Sequence, residues 1–273
     1  MRNKIGFIGI GNIGTPLVKG LMHSGTSLPE DTYVYDVDRR KVEELVKETG
    51  VRAAKDNAEL VRECDYILLA VKPAYVRSVL ESVKDLFTED KVLVSVAVGI
   101  TTDTLKSILG DSAKIVRAIP NLPVMVGEGM TLLCFGQNLS EDEKAVARSL
   151  FESSGRADEL EERLMSEVTA LTSSSPAYVF LLIEAMGDGA VQQGIPRKNA
   201  YRLAAQSVLG AAKMVLETGL HPAELKDQVC SPAGTTIEAV YTLEKNGFRH
   251  LIMEAMSECT RKALEIGRAS ESR

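Results

Sequence analysis

The feature that most constrains this chain is a group of three glycines, Gly9, Gly11 and Gly14, at the spacing G-x-G-x-x-G. An apolar run at residues 5–8 precedes them, and a segment typical of a helix follows from Thr15. Glycine at these points allows a tight turn, close approach of the backbone to a pyrophosphate, and close packing of the helix on the strand. The anion then rests on the amides at the helix N-terminus. Because strand, turn and helix come in this order, the motif predicts dinucleotide binding rather than a plain turn.

A second feature concerns the ribose of the dinucleotide. Asp36 ends a short strand at residues 33–35, about 20 residues after the glycines, where an acid binds the adenine ribose hydroxyls. This position favours NAD over NADP. Arg39 and Arg40 follow and are able to bind the 2′-phosphate of NADP, but they are equally typical of a solvated helix start. The predicted cofactor is therefore NAD or NADP, with NAD favoured.

Composition indicates a two-domain enzyme and argues against several other classes. The chain has 273 residues, 45% of them hydrophobic, which exceeds a usual single domain and suffices for a core. A net charge of −6 without a basic stripe argues against nucleic acid as a partner. No apolar stretch is long enough to cross a membrane and no secretory signal precedes the first strand, so we expect a cytoplasmic protein. The four cysteines form no C-x-x-C pair and have no histidines at ligand spacing, so we expect no metal site.

The order of apolar segments predicts two domains. Strand and helix patterns alternate up to about residue 160, and continuous apolar runs such as residues 67–71 and 92–97 are typical of parallel strands covered on both faces. From Leu164 onward the pattern changes to long helices, at residues 165–193, 197–217, 235–246 and 248–266. We predict a Rossmann-type, doubly wound α/β domain at residues 1–163 and an all-α domain at 164–273. The helices are apolar on more than one face, which predicts a homodimer through the helical domain.

Further candidate residues follow the predicted strands, at the edge where ligands of open α/β sheets bind. Ala70, Val71, Lys72 and Pro73 come after one strand, and Lys72 there is either a contact to cofactor phosphate or ribose or an ordinary surface lysine. The next two strands end in segments with small or irregular residues, which would let the backbone and Asn121 approach the nicotinamide.

The helical domain contains one segment that suits an anion. Residues 231–234 form a Ser-Pro-Ala-Gly loop that runs into a helix, with the hydroxyls of Thr235 and Thr236 at its start. Free amides at such a helix N-terminus bind a small carboxylate. A capping box formed by Thr235 and Glu238 would need no ligand, and the pattern by itself favours this cap. The two interpretations are compatible, because the cap would leave the Thr236 hydroxyl free.

Taken together, these segments resemble the pyrroline-5-carboxylate reductase family, and the resemblance extends over almost the whole chain. It rests on the glycine turn, Ala70-Val71-Lys72-Pro73, Pro120-Asn121, Ser174 with Pro176-Ala177-Tyr178, residues 210–214, residues 225–227, Ser231-Pro232 and, most specifically, Gly234-Thr235-Thr236. It implies reduction of (S)-1-pyrroline-5-carboxylate to L-proline by a nicotinamide cofactor, the final step of proline synthesis. It also implies that the helical domains of two subunits interleave and that dimers assemble further, up to a decamer of dimers.

The resemblance assigns residues to each ligand. The substrate residues are Ser174, Gly234, Thr235 and Thr236, and the Thr236 hydroxyl is the catalytic group that hydrogen-bonds the ring nitrogen. The motif, the strand ends and the resemblance together give the cofactor residues as Gly9, Gly11, Asn12, Ile13, Gly14, Asp36, Asn57, Ala70, Val71, Lys72, Pro73, Ala97, Gly99 and Asn121. Alignment of the imine with the nicotinamide matters more here than a strong acid, so the chemistry needs no catalytic histidine.

Some positions depart from the family pattern. Ser173 and Ser175 stand where the family usually has glycines, Leu122 where threonine is common, and Asp36 where asparagine followed by arginine is common. These departures leave two alternatives open: a paralogous reductase of another cyclic imine, and a non-catalytic dinucleotide-binding protein. A dehydrogenase of the β-hydroxyacid type would carry a K-x-x-N pair in its helical domain, and this chain has none there.

Overall fold

The computed structural model describes residues 3–271, and its contacts divide the chain into two compact units. One unit runs to Ser174 and resumes at Cys259, and the other runs from Ser175 to Glu258. The boundary between the Rossmann-type and the helical domain, placed between residues 163 and 164 from the sequence, stays a prediction. Among the described residues, no helix is both long and apolar enough to span a membrane.

The first unit contains one sheet, whose strands lie in the order β3-β2-β1-β4-β5-β6-β7-β8. Neighbouring strands are parallel, except that β7 runs antiparallel to β6. The sheet confirms the Rossmann-type, doubly wound prediction, while the antiparallel direction of β7 and the strand β8 were not predicted. The strands are β1 Ile5–Ile8, β2 Thr32–Tyr35, β3 Arg52–Ala53, β4 Tyr66–Leu69, β5 Val92–Ser95, β6 Lys114–Ile119, β7 Gly129–Phe135 and β8 Gly155–Glu159.

Helices cover both faces of this sheet. They are α1 Gly14–Ser24, α2 Arg39–Thr49, α3 Asn57–Glu63, α4 Pro73–Glu81, α5 Thr102–Leu109 and α6 Glu141–Glu152. Alternate residues of a strand belong to separate core clusters, since Leu68 packs with α1, α2 and α6 whereas Ile67 and Leu69 pack with α3, α4 and α5. The continuous apolar runs are therefore explained by burial on both faces. Ser140 caps α6 in a capping box with Glu143.

The remaining helices are α7 Ser175–Gln192, α8 Arg197–Thr218, α9 Pro222–Val229, α10 Thr235–Lys245 and α11 Phe248–Glu271. Two expectations were wrong in detail. The helix expected from residue 165 begins only at Ser175, after a 3-10 turn at Glu162–Leu164 and a π-helical turn at Thr169–Ser173. Helix α9 was not expected; it begins with Pro222, and the Nδ1 of His221 caps it by accepting from the Ala223 amide at 3.2 Å.

Apolar side chains on these helices are left uncovered by the chain itself. Leu181 on α7, Leu216 on α8 and Met253 on α11 are each about two-thirds exposed, at 67%, 69% and 68%. A single chain rarely exposes so many large apolar groups, and such surfaces mark sites of association. The helices thus fit the predicted dimerisation role.

Candidate functional site

The glycine turn has the three features that a bound pyrophosphate requires. Gly9 has φ +95°, and a Cβ there would lie 2.6 Å from the Ala70 carbonyl oxygen. A Cβ on Gly14 would meet the Gly9 carbonyl oxygen, so Gly14 permits close packing of α1 on β1. A Cβ on Gly11 would meet no protein atom within 4 Å. Gly11 therefore leaves open space beside the turn, which is where a ligand approaches the backbone.

Helix α1 presents its first amides at this turn. Ile13 precedes the helix and makes no side-chain capping bond, while the Thr15 hydroxyl donates to the Ile10 carbonyl at 2.7 Å. The first amides of an α-helix have no partner within the helix. They are consequently able to donate to an anion, and the positive end of the helix dipole favours it.

The end of β2 joins this turn through Asp36. One carboxylate oxygen of Asp36 accepts from the Ile10 amide and the other from the Asp38 amide, each at 2.9 Å. Arg39 donates to the carbonyls of Ala54 and Lys55 at 3.3 and 2.5 Å and stacks over a tyrosine ring of β2. Asp36 thus holds the turn in shape and leaves a negative charge beside it.

Arg40 differs from its neighbour Arg39. Its side chain is 81% exposed and its ion pair with Glu44 is long, at 3.9 Å. An exposed pair of this length contributes little free energy. Of the two arginines that the sequence offered for a 2′-phosphate, Arg40 is the one whose guanidinium is held only weakly by the protein.

Asn57, at the start of α3, has a buried Oδ1 without a hydrogen-bond partner. Leaving such an acceptor unpaired costs about 1–3 kcal/mol, so a native partner is expected. A ribose hydroxyl is a donor of the required kind. The sequence supplied this residue only through the family resemblance.

The carboxyl edge of the sheet holds the other predicted cofactor residues. Ile8 of β1, Leu69 of β4 and Ser95 of β5 are in register, so the segments that follow these strands emerge at one edge. Lys72 is exposed there and makes no capping bond to α4. Ala97 is buried and Gly99 has φ +78°, in the left-handed region that favours glycine. The structure therefore brings the predicted residues after β4 and β5 together.

Asn121 follows β6, but its side chain is engaged within the protein. Its Nδ2 donates to the Thr172 carbonyl at 3.0 Å, and its Oδ1 accepts from the Met130 amide at 2.9 Å. The amide joins the loop after β6 to the π-helical turn at Thr169–Ser173. Any contact of Asn121 with the nicotinamide is thus expected from its backbone.

Sequence reasoning missed a charged cluster next to β6. Arg117 is buried, and its Nη1 lies 2.5 Å from Glu162 Oε1, while the Thr102 hydroxyl donates to Glu162 Oε2 at 2.5 Å. Burial, the largest influence, raises the pKa of Glu162, but the Thr102 hydrogen bond and the Arg117 charge together hold that pKa below its usual value. Burial, followed by the hydrogen bond to Glu162, raises the pKa of the Cys134 thiol to about 12. The one signal for this cluster in the sequence was Arg117, a charged residue within the apolar strand β6.

In the second unit, the loop before α10 has a different cap from the predicted one. Gly234 is the N-cap and makes no side-chain capping bond, so the capping box of Thr235 and Glu238 was wrong. The reason is the turn before it: the Gly234 amide donates to the Ser231 carbonyl at 3.0 Å, and a Cβ on Gly234 would collide with Ser231 Oγ. Thr235 is consequently the first helical residue, where its hydroxyl cannot cap.

This loop is also strained. Ala233 has φ +55°, the one positive φ of a residue other than glycine in the described part of the chain. Such a conformation costs of order 1–3 kcal/mol and is found at functional sites. The uncapped amides that open α10, together with the Thr236 hydroxyl, form an N-terminus suited to a carboxylate.

Ser174 belongs to the first unit, and its hydroxyl accepts a hydrogen bond from Cys259 Sγ at 3.2 Å. Ser173 Oγ is buried without a partner. Among the side chains that the structure describes, histidine, cysteine and acidic residues form no group of three or more that could hold a metal ion.

Two family models match the chain. One, described as pyrroline-5-carboxylate reductase dimerisation, matches residues 162–266, and the other, described as NADP oxidoreductase coenzyme F420-dependent, matches residues 4–99. The chain is 44% identical over 269 residues to a pyrroline-5-carboxylate reductase of Escherichia coli, with 98% of this chain and 100% of that protein covered.

Solved structures agree with these matches. A pyrroline-5-carboxylate reductase from Coxiella burnetii is 35% identical with a TM-score of 0.91, covering 96% of this chain and 98% of that one. A pyrroline carboxylate reductase from Plasmodium falciparum with NADP bound is 33% identical with a TM-score of 0.87, covering 97% and 98%.

Proposed function

The chain belongs to the pyrroline-5-carboxylate reductase family, and on that premise we propose how its own residues serve the family's reaction. The enzyme reduces (S)-1-pyrroline-5-carboxylate to L-proline with NAD(P)H, as the last step of proline biosynthesis. One proton is taken up with each imine reduced. The imine nitrogen carries that proton, and the ring carbon becomes more electrophilic as a result.

The residues of the glycine turn fit a dinucleotide. The open space at Gly11 would admit the pyrophosphate, and the amides of Asn12, Ile13 and Gly14, just before and at the start of α1, would donate to it. The unpaired Oδ1 of Asn57 would accept from a ribose hydroxyl, and Lys72 would supply a positive charge at the same sheet edge. When bound, NAD(P)H supplies the hydride. The protein holds it through these residues and through the backbone after β4, β5 and β6.

The substrate is assigned to the uncapped start of α10. The backbone amides that follow Gly234 donate to the carboxylate, and the Thr236 hydroxyl accepts from the protonated ring nitrogen. Holding both ends fixes the orientation of the imine carbon. A fixed orientation lowers the activation barrier of a reaction between two bound molecules, because the loss of orientational freedom has already occurred on binding. We propose Thr236 as the catalytic residue, with Gly234 and Thr235 beside it at the start of α10. The family's assignment of Ser174 to the substrate stays a prediction.

One observation supports this assignment. Helix α10 begins directly after Gly234 and has no side-chain cap, although Thr235 and Glu238 have the spacing of a capping box. The test is the initial rate of cofactor oxidation with pyrroline-5-carboxylate, measured with NADH and NADPH at equal concentrations. Imine-dependent oxidation, with L-proline as the product, is expected. Its absence with both cofactors would contradict the proposal and favour another cyclic imine or a non-catalytic dinucleotide-binding protein.

For the cofactor, we infer a preference for NADH. The Asp36 carboxylate lies beside the turn, where it repels a 2′-phosphate, and Arg39 already donates to two carbonyls. Only the weakly held Arg40 of this pair offsets that repulsion. Faster turnover with NADPH would instead assign the ribose site to Arg40.

The protein is a homo-oligomer through its dimerisation domain, and for the larger assembly we infer a decamer of dimers in the cytoplasm. Support comes from the exposed apolar faces of α7, α8 and α11, which exceed what a lone chain normally leaves in water. Light scattering after gel filtration would measure the mass. A mass equal to two chains at all concentrations would limit the assembly to the dimer.

A further inference from the structure

Two hydrogen-bond acceptors of the first unit lie on neighbouring segments at the carboxyl edge of the sheet. The Asp36 carboxylate directly follows β2, and Asn57 is the first residue of α3, shortly after β3. Strands β2 and β3 are parallel, with Val34 paired to Ala53, and the Ala54 amide donates to the Val34 carbonyl at 2.9 Å. Both segments therefore leave the sheet side by side, next to the glycine turn to which Asp36 is bonded.

Each of these acceptors has capacity for a ligand. A carboxylate offers about four lone-pair positions, and the oxygens of Asp36 accept from the amides of Ile10 and Asp38 at 2.9 Å each. The Oδ1 of Asn57 is buried and has no hydrogen-bond partner within the described part of the chain. The adenine ribose of NADH carries neighbouring hydroxyl groups at C2′ and C3′, and each of them donates one hydrogen bond. This pair of donors matches the pair of acceptors.

Arg39, the first residue of α2, bridges the two segments. Its Nη1 donates to the Ala54 carbonyl at 3.3 Å and its Nη2 to the Lys55 carbonyl at 2.5 Å. The carbon of its guanidinium also lies 5.0 Å from the centroid of the Tyr35 ring, on the last residue of β2. The guanidinium thus fastens the backbone just before α3 to the end of β2.

Helix α3 holds the same backbone from its other side. Asp56 caps α3 by accepting from the Glu59 amide at 2.8 Å, and the Glu59 carboxylate accepts from the Lys55 amide at 2.6 Å. Lys55 is therefore fixed to α3 through its amide and to Arg39 through its carbonyl. Because Asn57 is two residues further on, loss of the Arg39 contacts would free the start of α3 to shift away from the end of β2.

We propose that Arg39 is a positioning residue for the adenine ribose, because it sets the separation between the two acceptors that the ribose hydroxyls meet, Asp36 and Asn57. The inference rests on the proposed function, since it requires a dinucleotide at the glycine turn. A guanidinium bound to a 2′-phosphate would serve NADPH. A guanidinium that holds the acceptors together serves NADH, because NADPH has no free hydroxyl at C2′.

The test is calorimetric titration of the full-length protein with NADH and, separately, with NADPH, in the absence of imine. Arg39→Lys keeps the charge but replaces the planar fork of donors by a single ammonium. It should raise the Kd for NADH about fivefold, the effect of roughly one hydrogen bond, while the Kd for NADPH changes little. Arg39→Ala should weaken NADH at least as much. Thermal unfolding of each variant shows that it is folded.

A double-mutant cycle with Asn57→Ala distinguishes positioning from packing. Asn57→Ala should itself raise the Kd for NADH, and Arg39→Lys should add little in that background, because the acceptor that Arg39 positions is gone. Lys47→Ala is the matched control. It removes an exposed cation from the same helix and should leave the Kd of both cofactors unchanged.

Three results would overturn the role of Arg39 while wild-type binding of NADH leaves the proposed function intact. They are a higher Kd for NADPH without a change for NADH, equal weakening of both cofactors, and additive effects of Arg39→Lys and Asn57→Ala. An unchanged Kd for NADH in Arg39→Lys and Arg39→Ala would have the same meaning. Absence of wild-type binding to either cofactor would overturn the proposed function, and the positioning role with it.

Discussion

The Asp36 carboxylate accepts a hydrogen bond from the Ile10 amide at 2.9 Å, and so ties the end of β2 to the glycine turn. The two residues lie on neighbouring segments of the ligand edge, because Ile8 and Tyr35 are paired in the parallel strands that precede them. Asp36 therefore shapes the turn and also sets the charge that a cofactor meets. Both roles depend on the same side chain, and substitutions are able to separate them.

Asp36→Asn should shift cofactor preference toward NADPH. Asparagine keeps one acceptor oxygen for the Ile10 amide, loses the oxygen that accepts from the Asp38 amide, and removes the negative charge. One like charge near a solvated phosphate costs about 1 kcal/mol. The ratio of kcat/KM for NADPH over NADH should rise about fivefold. Steady-state kinetics with both cofactors measure this ratio. Glu43→Gln, an exposed change on α2, is the charge control, and an equal shift there would indicate a nonspecific effect of net charge.

Gly11→Ala and Gly14→Ala should fail in different ways. The methyl group at Gly11 meets no protein atom within 4 Å, so folding should be retained while the pyrophosphate is displaced and cofactor KM rises at least tenfold. The methyl group at Gly14 meets the Gly9 carbonyl, which should cost about 1–3 kcal/mol of folding free energy. Thermal unfolding and cofactor titration distinguish the two. A large loss of stability in Gly11→Ala would argue against open space at the turn.

Thr236→Ala should lower turnover much more than cofactor binding. The hydroxyl is assigned to a charged nitrogen, and a hydrogen bond of that kind contributes about 1.5–3 kcal/mol, or roughly 10- to 100-fold in kcat/KM. Thr236→Ser keeps the hydroxyl and should retain most activity. Thr235→Ala tests the cap in parallel: because Gly234 caps α10, the unfolding temperature should change little. Equal turnover of Thr236→Ala and the wild type would refute the hydroxyl role.

Glu162→Gln should destabilise the fold in a pH-dependent way. The pKa of Glu162 is lowered in the folded protein, so its contribution is present above the unfolded value of about 4.3 and is lost as pH falls through the lower folded value. Arg117 is 3% exposed but Glu162 is 36% exposed, so the loss at pH 7 should be about 1–3 kcal/mol, below that of a fully buried pair.

Denaturant unfolding of the wild type and Glu162→Gln from pH 7 to pH 3 would check this. The difference between them should shrink in the acid part of the series. Glu159→Gln removes an exposed partner of Arg148 and serves as the control, with little change expected at any pH. A difference for Glu162→Gln that stays constant down to pH 3 would contradict the ionic role.

Much of the first unit was predictable because its signals are local. The spacing of Gly9, Gly11 and Gly14 requires the strand, turn and helix that the structure contains. The continuous apolar runs of β4 and β5 indicated burial on both faces of the sheet. The Ser140 cap likewise needs only its neighbours along the chain.

Other features depended on residues that are distant in the sequence. Strand β7 runs antiparallel to its neighbour β6. The sequence does not reveal this direction, because the pattern of apolar residues in a strand is the same for parallel and antiparallel pairing. The helix expected from residue 165 is replaced at its start by a turn whose carbonyl receives the Asn121 amide. At α10, the contact between Ser231 and Gly234 moved the cap away from Thr235.

Spacing and periodicity were enough to predict the dinucleotide turn, the alternation of strands and helices in the first unit and the helices that follow it, because these signals act within a few residues of each other. Which polar groups are engaged and which remain for ligands depends on contacts between segments that are distant in the sequence. Asn121 is engaged by Thr172 and Met130, whereas the start of α10 has no side-chain cap. The physical reason is that a hydrogen bond such as Cys259 to Ser174 exists only after folding has placed two distant segments within 3.2 Å.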